Sequence, residues 1–435
     1  MLGVGTAGPV ASNPGRGEGD PHDWGDPGSG ATPAGTATAE REAWTILAAI
    51  DGLGPVAFAS LLARYGSGRG ILAAAAEPGA AERLSATPPA GWRDARERQP
   101  VTPPLAAAII AALDTGPPLI GRLRDLDILA VTVEEPRYPD RLAGIAMPPH
   151  VLFVRGDPDA LGRDRSVAIV GTRRATTGGR TTAGRIASAL VAAEATVVSG
   201  LAYGIDGAAH EATIRAGGVT VAVIGGGHAR AIPRGHRRLA DAIVRSGGAV
   251  VSELGPDVEP TRGTFPRRNR IISGLAAATV VVEAPARSGA LLTASWALEQ
   301  GRECFLVPGA IDAPASAGCL SFLRDWPGLA RLVAGVPQLI ADLGYTDGVG
   351  TATGLPDPAA AAALGELGIA ASRVAGALVA GRVTVDELVA VTDLPVASVL
   401  ASLTLLERDG LAVGVHGRYR PAGPLLRAPA PSRPR

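Results

Sequence analysis

The chain has 435 residues, 46% hydrophobic and only 3% aromatic, and its 41 basic and 41 acidic residues leave no net charge. That length supports two to four domains around a sizeable core, while two cysteines, Cys304 and Cys319, exclude a disulfide scaffold and a cysteine-based zinc site. Every basic residue is Arg, so phosphate contacts fall to guanidinium groups, which can grip phosphate through two parallel N–H donors.

Residues 1–38 are rich in Gly, Pro, Ala, Ser and Thr and read as a disordered leader. The first 50 residues carry six acids against two Arg. Residues 39–118 read as a helical domain of helix-hairpin-helix (SAM-like) type. Gly52 and Gly54 make its tight turn and Pro55 opens the second helix. Such a hairpin can offer backbone N–H groups to a phosphate; an ordinary αα-hairpin has the same pattern. A Pro-rich stretch, 87–104, interrupts it.

Residues 119–345 alternate short apolar runs with helical patterns, the signature of a parallel sheet with crossover helices. The expected strands are Val151–Val154, Val167–Val170, Thr196–Ser199, Val219–Ile224, Ala249–Ser252, Thr279–Glu283 and Cys304–Val307. Continuous apolar strands suit a sheet covered on both faces. Residues 346–358 read as a linker, 359–421 as a winged helix and 422–435 as a tail. In the winged helix, Thr384 and Glu387 form a capping box. Val396, Val399, Leu400, Leu403 and Leu406 make the next helix's apolar stripe. Its outward residues, Ala397, Ser398, Ala401, Ser402 and Thr404, suit protein contact better than base readout. No run of 18 apolar residues and no basic-then-apolar start is present, so a soluble, cytoplasmic protein without a membrane partner is expected.

Charge is unevenly placed: residues 160–275 hold 16 Arg against eight acids. That excess fits a polyanionic partner. Five motifs carry it, most of them where a strand ends in a glycine turn. Gly171, Thr172, Arg173 and Arg174 follow the Val167 strand, with a helix starting near Thr177. A helix start favours an anion. Neither a P-loop lysine nor Gly-x-Gly-x-x-Gly is present, so ATP hydrolysis and dinucleotide binding are not expected. Gly200 lies in the run Ser199 to His210. Asp206 and His210 share one helix and no nucleophile elbow surrounds Ser199, so a catalytic triad is rejected and His210 is read as a loop-fixing residue. Gly225 and Gly226 end the Val219 strand, before a helix carrying Arg237 and Arg238. Arg267, Arg268, Asn269 and Arg270 crowd four positions beside Phe265, a density that calls for a compensating anion. Ser288 and Gly289 precede another helix, with Ser288 as N-cap or phosphate donor. These sites share the carboxyl edge of one sheet, where ligands of open α/β sheets bind. A polyanion running along that edge would explain the repetition.

The runs GTR, SGLAYGIDGAAH, FPRRNRII, VVEAPARSGALLTA and VPG stand in the order and spacing of the DNA-processing protein A family (DprA or Smf), which residues 130–325 closely resemble. The resemblance implies an extended Rossmann-like domain that binds single-stranded DNA, works as a homodimer and helps load the recombinase RecA in DNA uptake and natural transformation. It maps the DNA pocket onto Arg173, Arg267, Arg268, Asn269, Arg270, Ser288 and Gly289. Departures occur at its edge: Ile232-Pro233 where Tyr-Pro is usual, His236 where Asn is common, and Gly318 to Phe322 where Gly-Asn-x-Leu-Ile is usual. No catalytic residue, metal or cofactor is expected. The alternative is a Rossmann-like nucleotide-processing enzyme of the nucleoside-monophosphate phosphoribohydrolase type, with the Ser288–Thr293 loop followed by Glu299.

Overall fold

The computed structural model describes residues 34–86, 101–261, 263–345, 358–379, 382, 384–415, 418–422 and 425. Most of the expected leader, the linker and the tail lie outside them. Four helices come first: α1 (Ala34–Ala48), α2 (Pro55–Tyr65), α3 (Gly68–Ala76) and α4 (Ala80–Ser85). Pro55 opens α2, where its missing N–H costs nothing, and Gly52 makes the preceding turn at φ 86°. The long α5 (Pro103–Asp125) continues through Pro117 and Pro118, across the expected boundary at 118. By length and composition α5 could cross a membrane. Here its apolar side, Ala106, Ile109 and Leu123, packs with Trp44, Phe58 and Ile71 in the helical core.

A nine-stranded sheet follows. β1 (Ile128–Thr132), α6 (Asp140–Ala143) and β2 (Val151–Gly156) lead into β3 (Ser166–Val170), α7 (Thr177–Ala192), β4 (Thr196–Ser199), α8 (Ile205–Arg215), β5 (Thr220–Val223), α9 (Arg237–Arg245) and β6 (Ala249–Ser252). Then come α10 (Thr264–Leu275), β7 (Ala278–Val281), α11 (Ala290–Glu299), β8 (Glu303–Leu306), α12 (Ala317–Asp325), β9 (Ala330–Leu332) and α13 (Val336–Asp342). The strand order is β1-β2-β6-β5-β4-β3-β7-β8-β9. All seven expected strands form, shifted by up to two residues at an end.

The expectation of a wholly parallel sheet is corrected. β3 to β9 are parallel, but β2 runs antiparallel to both β1 and β6. An apolar run reports burial on two faces, not direction. Val151 and Phe153 of β2 face the helical core, while Leu152 and Val154 face the sheet's main core. β1 and β9 were not expected; they are edge strands, β1 with one exposed position and β9 with two of three residues uncovered.

Two apolar layers flank the parallel strands. On one face Val167 and Ile169 pack against α7 and α8 through Ile186, Leu190 and Ala209, and Ala222 and Val250 pack against α9 through Ile243. On the other, Ala168 and Val170 pack against α10, α11 and α12 through Ile271, Ile272, Ala294 and Cys319. Fully burying one Val, Leu or Ile side chain is worth about 1.5–3 kcal/mol. The chain therefore steps outward from β3 to β6 along one face, then returns through α10 to β7 on the opposite side of β3. That makes the gap between β3 and β7 the topological switch point, where a ligand crevice opens beyond the strand ends.

The C-terminal unit has its own core of Val374, Leu378, Leu388, Val399, Leu403 and Leu406. It comprises α14 (Pro358–Val379, kinked at Gly368), α15 (Val385–Thr392), α16 (Val396–Arg408) and an antiparallel ribbon of β10 (Ala412–Val415) and β11 (Arg418–Pro421). The Thr384–Glu387 capping box starts α15. The stripe of α16 is narrower than expected: Val396 and Leu400 are 51% and 43% exposed, whereas Ser402, expected outward, is buried and donates to the Ser398 carbonyl.

Candidate nucleic-acid interface

A cleft of about 100 Å³ lies at the switch point, walled by Gly171 and Arg173 after β3, Arg268 and Asn269 on α10, and Ser288 and Gly289 before α11. Six of the residues singled out from the sequence thus meet in one place. Asn269 donates to the Gly289 carbonyl at 3.1 Å, and the Ser288 hydroxyl accepts from the Ala290 N–H at 3.3 Å. The first bond holds the loop after β7 against α10, and the second orders that loop at the start of α11.

Arg268 is the centre of the cleft. It is only 5% exposed, and its Nε has no hydrogen-bond partner among the described residues. Burial pulls its pKa down to about 10, the Asp206 carboxylate opposes that shift, and the positive charge of Arg173 adds to it. Arg268 therefore stays charged at neutral pH beside a second, exposed cation. The Arg173 guanidinium lies over the Phe265 ring, 5.0 Å from its centroid. Two arginines against one carboxylate, one of them buried with a donor unpaired, is a costly arrangement that an incoming anion relieves.

The glycine turns behave differently from expectation. Their amides are expected to receive phosphate, but internal carboxylates already hold them. Asp206, in the first turn of α8, accepts from the Ala202 N–H at 3.4 Å and faces the Gly200 and Gly171 amides; burial raises its pKa, and Arg268 and those amides pull it back. Glu283, just beyond β7, accepts from the Thr176 N–H at 2.9 Å and the Thr176 hydroxyl at 2.5 Å, at the start of α7. A helix start attracts any anion, and sequence does not say whether that anion is a ligand or a side chain. Thr172 is a brace: its N–H donates to the Glu283 carbonyl at 2.7 Å, and its hydroxyl accepts from the Arg174 N–H at 3.2 Å.

Gly200 has a different use. A Cβ there would stand 1.8 Å from Arg268 Nη1 and 2.8 Å from Asp206 Oδ2. Gly200→Ala is therefore expected to expel the Arg268 guanidinium and, on the single-strand binding that the resemblance implies, to weaken that binding by at least about tenfold, the scale of one lost hydrogen bond to a charged group. Titration of a labelled oligonucleotide checks this, and unchanged affinity would mean that Arg268 makes no contact with DNA.

The remaining predicted residues lie elsewhere. Gly225 and Gly226 are buried, packed against Phe265 and against Ala231 and Pro260, so no phosphate reaches them. Gly227 donates to the Val258 carbonyl, which fastens this turn to the loop before α10. Arg270 is buried in the opposite direction from the cleft, paired with Glu253 at 2.7 Å and donating to the Met147 carbonyl at 2.9 Å. Its place in a binding cluster is corrected: adjacent positions on a helix point about 100° apart, so four consecutive residues cannot share one face. Arg267 is exposed and lines a separate groove of about 560 Å³ with Gly52, Gly54, His150 and Glu253. Arg174 is exposed on the loop after β3.

Ser199, Asp206 and His210 do not act together. The Ser199 hydroxyl donates to the Ile169 carbonyl at 2.6 Å, and His210 Nδ1 bonds the Thr220 hydroxyl at 2.7 Å. Burial lowers the His210 pKa to about 3, so its ring is neutral. Glu299 sits at the far end of α11, six residues beyond Thr293 of the cleft wall, or about 9 Å along the helix at about 1.5 Å per residue. Sequence reading named Asp206 only as a member of the rejected triad and gave neither Asp206 nor Glu283 a place against the amide cradles, and it did not single out the exposed Tyr203; acids one turn into a helix, or just beyond a strand, were the available signal.

Residues 129–344 match the family described as DNA recombination-mediator protein A. The chain is 42% identical over 267 residues to a Mycobacterium tuberculosis sequence named as DNA processing protein DprA, covering 61% of this chain and 66% of that one, just under two thirds. It is 39% identical over 209 residues to DNA processing protein DprA of Bacillus subtilis, 48% of this chain and 70% of the relative. The X-ray structure of DNA processing protein A from Streptococcus pneumoniae aligns with a TM-score of 0.54 at 30% identity, covering 69% of this chain and 97% of that one. The family match contains the whole nine-stranded sheet except Ile128, together with every wall of the cleft.

Proposed function

The chain belongs to the DNA recombination-mediator protein A family (DprA or Smf), and from that premise we propose that it binds single-stranded DNA without sequence preference and does no chemistry on it. The observation that carries this reading is Arg268: a buried, charged, under-paired guanidinium beside Arg173 at the switch point of the sheet. Guanidinium groups meet phosphates, and phosphate contacts position a strand without reading its bases. Arg267, on the neighbouring groove beside Gly54, takes a further phosphate, and Arg174 adds charge at the rim. The acids near the cleft, Asp206 and Glu283, already hold backbone amides, which supports binding over nucleotide hydrolysis.

The wider reading rests on the family resemblance. The chain works in the cytoplasm as a homodimer, protects incoming DNA and helps load RecA in recombination and natural transformation. Its N-terminal helices act as a helix-hairpin-helix module. Its C-terminal unit is a winged helix that contacts protein, in keeping with the exposed Val391, Val396, Leu400 and Val413.

Binding of labelled single-stranded dT, dA and dC oligonucleotides and of a duplex, at two salt concentrations, tests the proposal. Similar affinities for the single strands are expected, with a log–log salt slope of about −0.7 per phosphate neutralised. Affinity that follows base sequence, or that ignores salt, overturns it.

A further inference from the structure

Beyond the phosphate contacts, we infer that Tyr203 forms a nucleobase subsite at the rim of the cleft, where a base stacks on its ring. The inference rests on the single-strand reading above and adds to it a contact that no charge supplies.

Tyr203 is 48% exposed, although its neighbours Leu201 and Ile205 are fully buried. Its neighbours in sequence fix its place. Ala202 is a wall of the cleft that holds Arg173 and Arg268. Gly204, at φ 84°, lies so close to the loop after β3 that a Cβ would stand 2.3 Å from the Thr172 carbonyl oxygen and 2.8 Å from that of Arg173. In sequence Tyr203 thus falls between a residue of the cleft wall and one packed on the Arg173 loop, and its ring turns toward Gly235 and His236.

The ring packs on the turn before α9. His236 packs on it with centroids 4.7 Å apart at 57°, and His236 Nδ1 is itself bonded to the Leu201 carbonyl at 3.0 Å. The Tyr203 hydroxyl accepts from the Gly235 N–H at 3.3 Å. A Cβ at Gly235 would stand 3.1 Å from that hydroxyl and 3.2 Å from the ring. The turn before α9 is a prop that sets the ring's tilt, and about half of the residue remains in solvent. A rigid aromatic ring beside a cationic cleft is the pairing by which single strands are held: charge takes the backbone and the ring takes a base. Every base has a π-face, so this contact keeps binding tolerant of sequence.

The test compares the full chain with Tyr203→Ala and Tyr203→Phe. Each is titrated with labelled oligo-dT, oligo-dA and an abasic oligonucleotide of the same length. Tyr203→Ala is expected to weaken dT and dA binding by about tenfold or more, the scale of one base–aromatic stack. It should leave abasic affinity and the salt slope at their wild-type values, because no phosphate contact is lost. Tyr203→Phe keeps the ring and should bind like wild type. Equal losses on abasic and dT strands, or equal losses in the Ala and Phe variants, would make the ring a structural prop and overturn the subsite. So would wild-type dT affinity in Tyr203→Ala while Arg268→Ala loses it, a result that leaves the phosphate reading intact. A wild-type chain that binds neither dT nor the abasic strand would instead remove the reading on which the subsite rests. Should Tyr203→Ala fail to fold, 2-aminopurine fluorescence on wild type and Tyr203→Phe decides: stacking quenches the probe, and unchanged emission in the bound state overturns the inference.

Discussion

Replacing Arg268 by Ala is expected to cost single-strand binding about 2–5 kcal/mol, the range for truncating a buried, hydrogen-bonded charge, or roughly 30- to 4,000-fold in Kd. The large effect follows from burial. Arg268 is 5% exposed, so its field is little screened by water, and its buried Nε has no hydrogen-bond partner among the described residues. The log–log salt slope should become shallower by about 0.7, one phosphate's worth. The same truncation leaves Asp206 buried without its cation, and the fold loses stability as well. Thermal melting of the variant therefore accompanies the titration, which is read at a temperature where the variant is folded. Arg268→Lys separates charge from shape: it retains the cation but not the planar fork, so an intermediate loss is expected. If Arg268→Ala bound oligo-dT as wild type does, the cleft would not be the DNA site.

Arg270→Ala is expected to do the reverse, unfolding the protein more readily while sparing DNA. Arg270 makes two bonds to Glu253, at 2.7 and 3.1 Å, and donates to the Met147 and Arg267 carbonyls. Removing one partner of a buried ion pair costs about 3–5 kcal/mol because the other charge is stranded. At about 2–4 °C per kcal/mol for a domain of this size, the melting temperature should fall by roughly 6–20 °C. Affinity of the folded fraction for oligo-dT should stay within about threefold of wild type, since no lost contact faces the cleft. The double variant Arg270→Met with Glu253→Gln should recover part of the stability, because an apolar replacement strands no charge. A stable Arg270→Ala protein that no longer bound DNA would restore Arg270 to the binding cluster.

The contrast between these neighbours shows how far the sequence is legible. The motif Phe265 to Ile272 announces an anion-seeking cluster, and Arg268 and Asn269 do line the cleft. Helical geometry then divides the run: Arg267 faces the groove beside Gly54, Arg268 the cleft and Arg270 the interior. Composition cannot make that division, because each Arg looks alike until its rotation about α10 is known. The glycine turns teach a related lesson. Gly171 and Gly200 do stand at strand ends, yet their amides serve Asp206, and Gly225 and Gly226 lie under Phe265 and Pro260.

By itself the amino-acid sequence determined the seven central strands, the glycine turn after β3, the start of α7 and the family. These follow from local properties: apolar runs of strand length, glycine at turns, hydroxyls at helix starts, and motifs in order. Only the tertiary structure decided that β2 runs antiparallel, which anion fills each amide cradle, and which arginine is left wanting a partner. Several of those outcomes depend on residues far apart in the chain, such as Gly200 with Arg268 and Thr176 with Glu283. The energy of a charge is set by what surrounds it in space, and no local pattern carries that information.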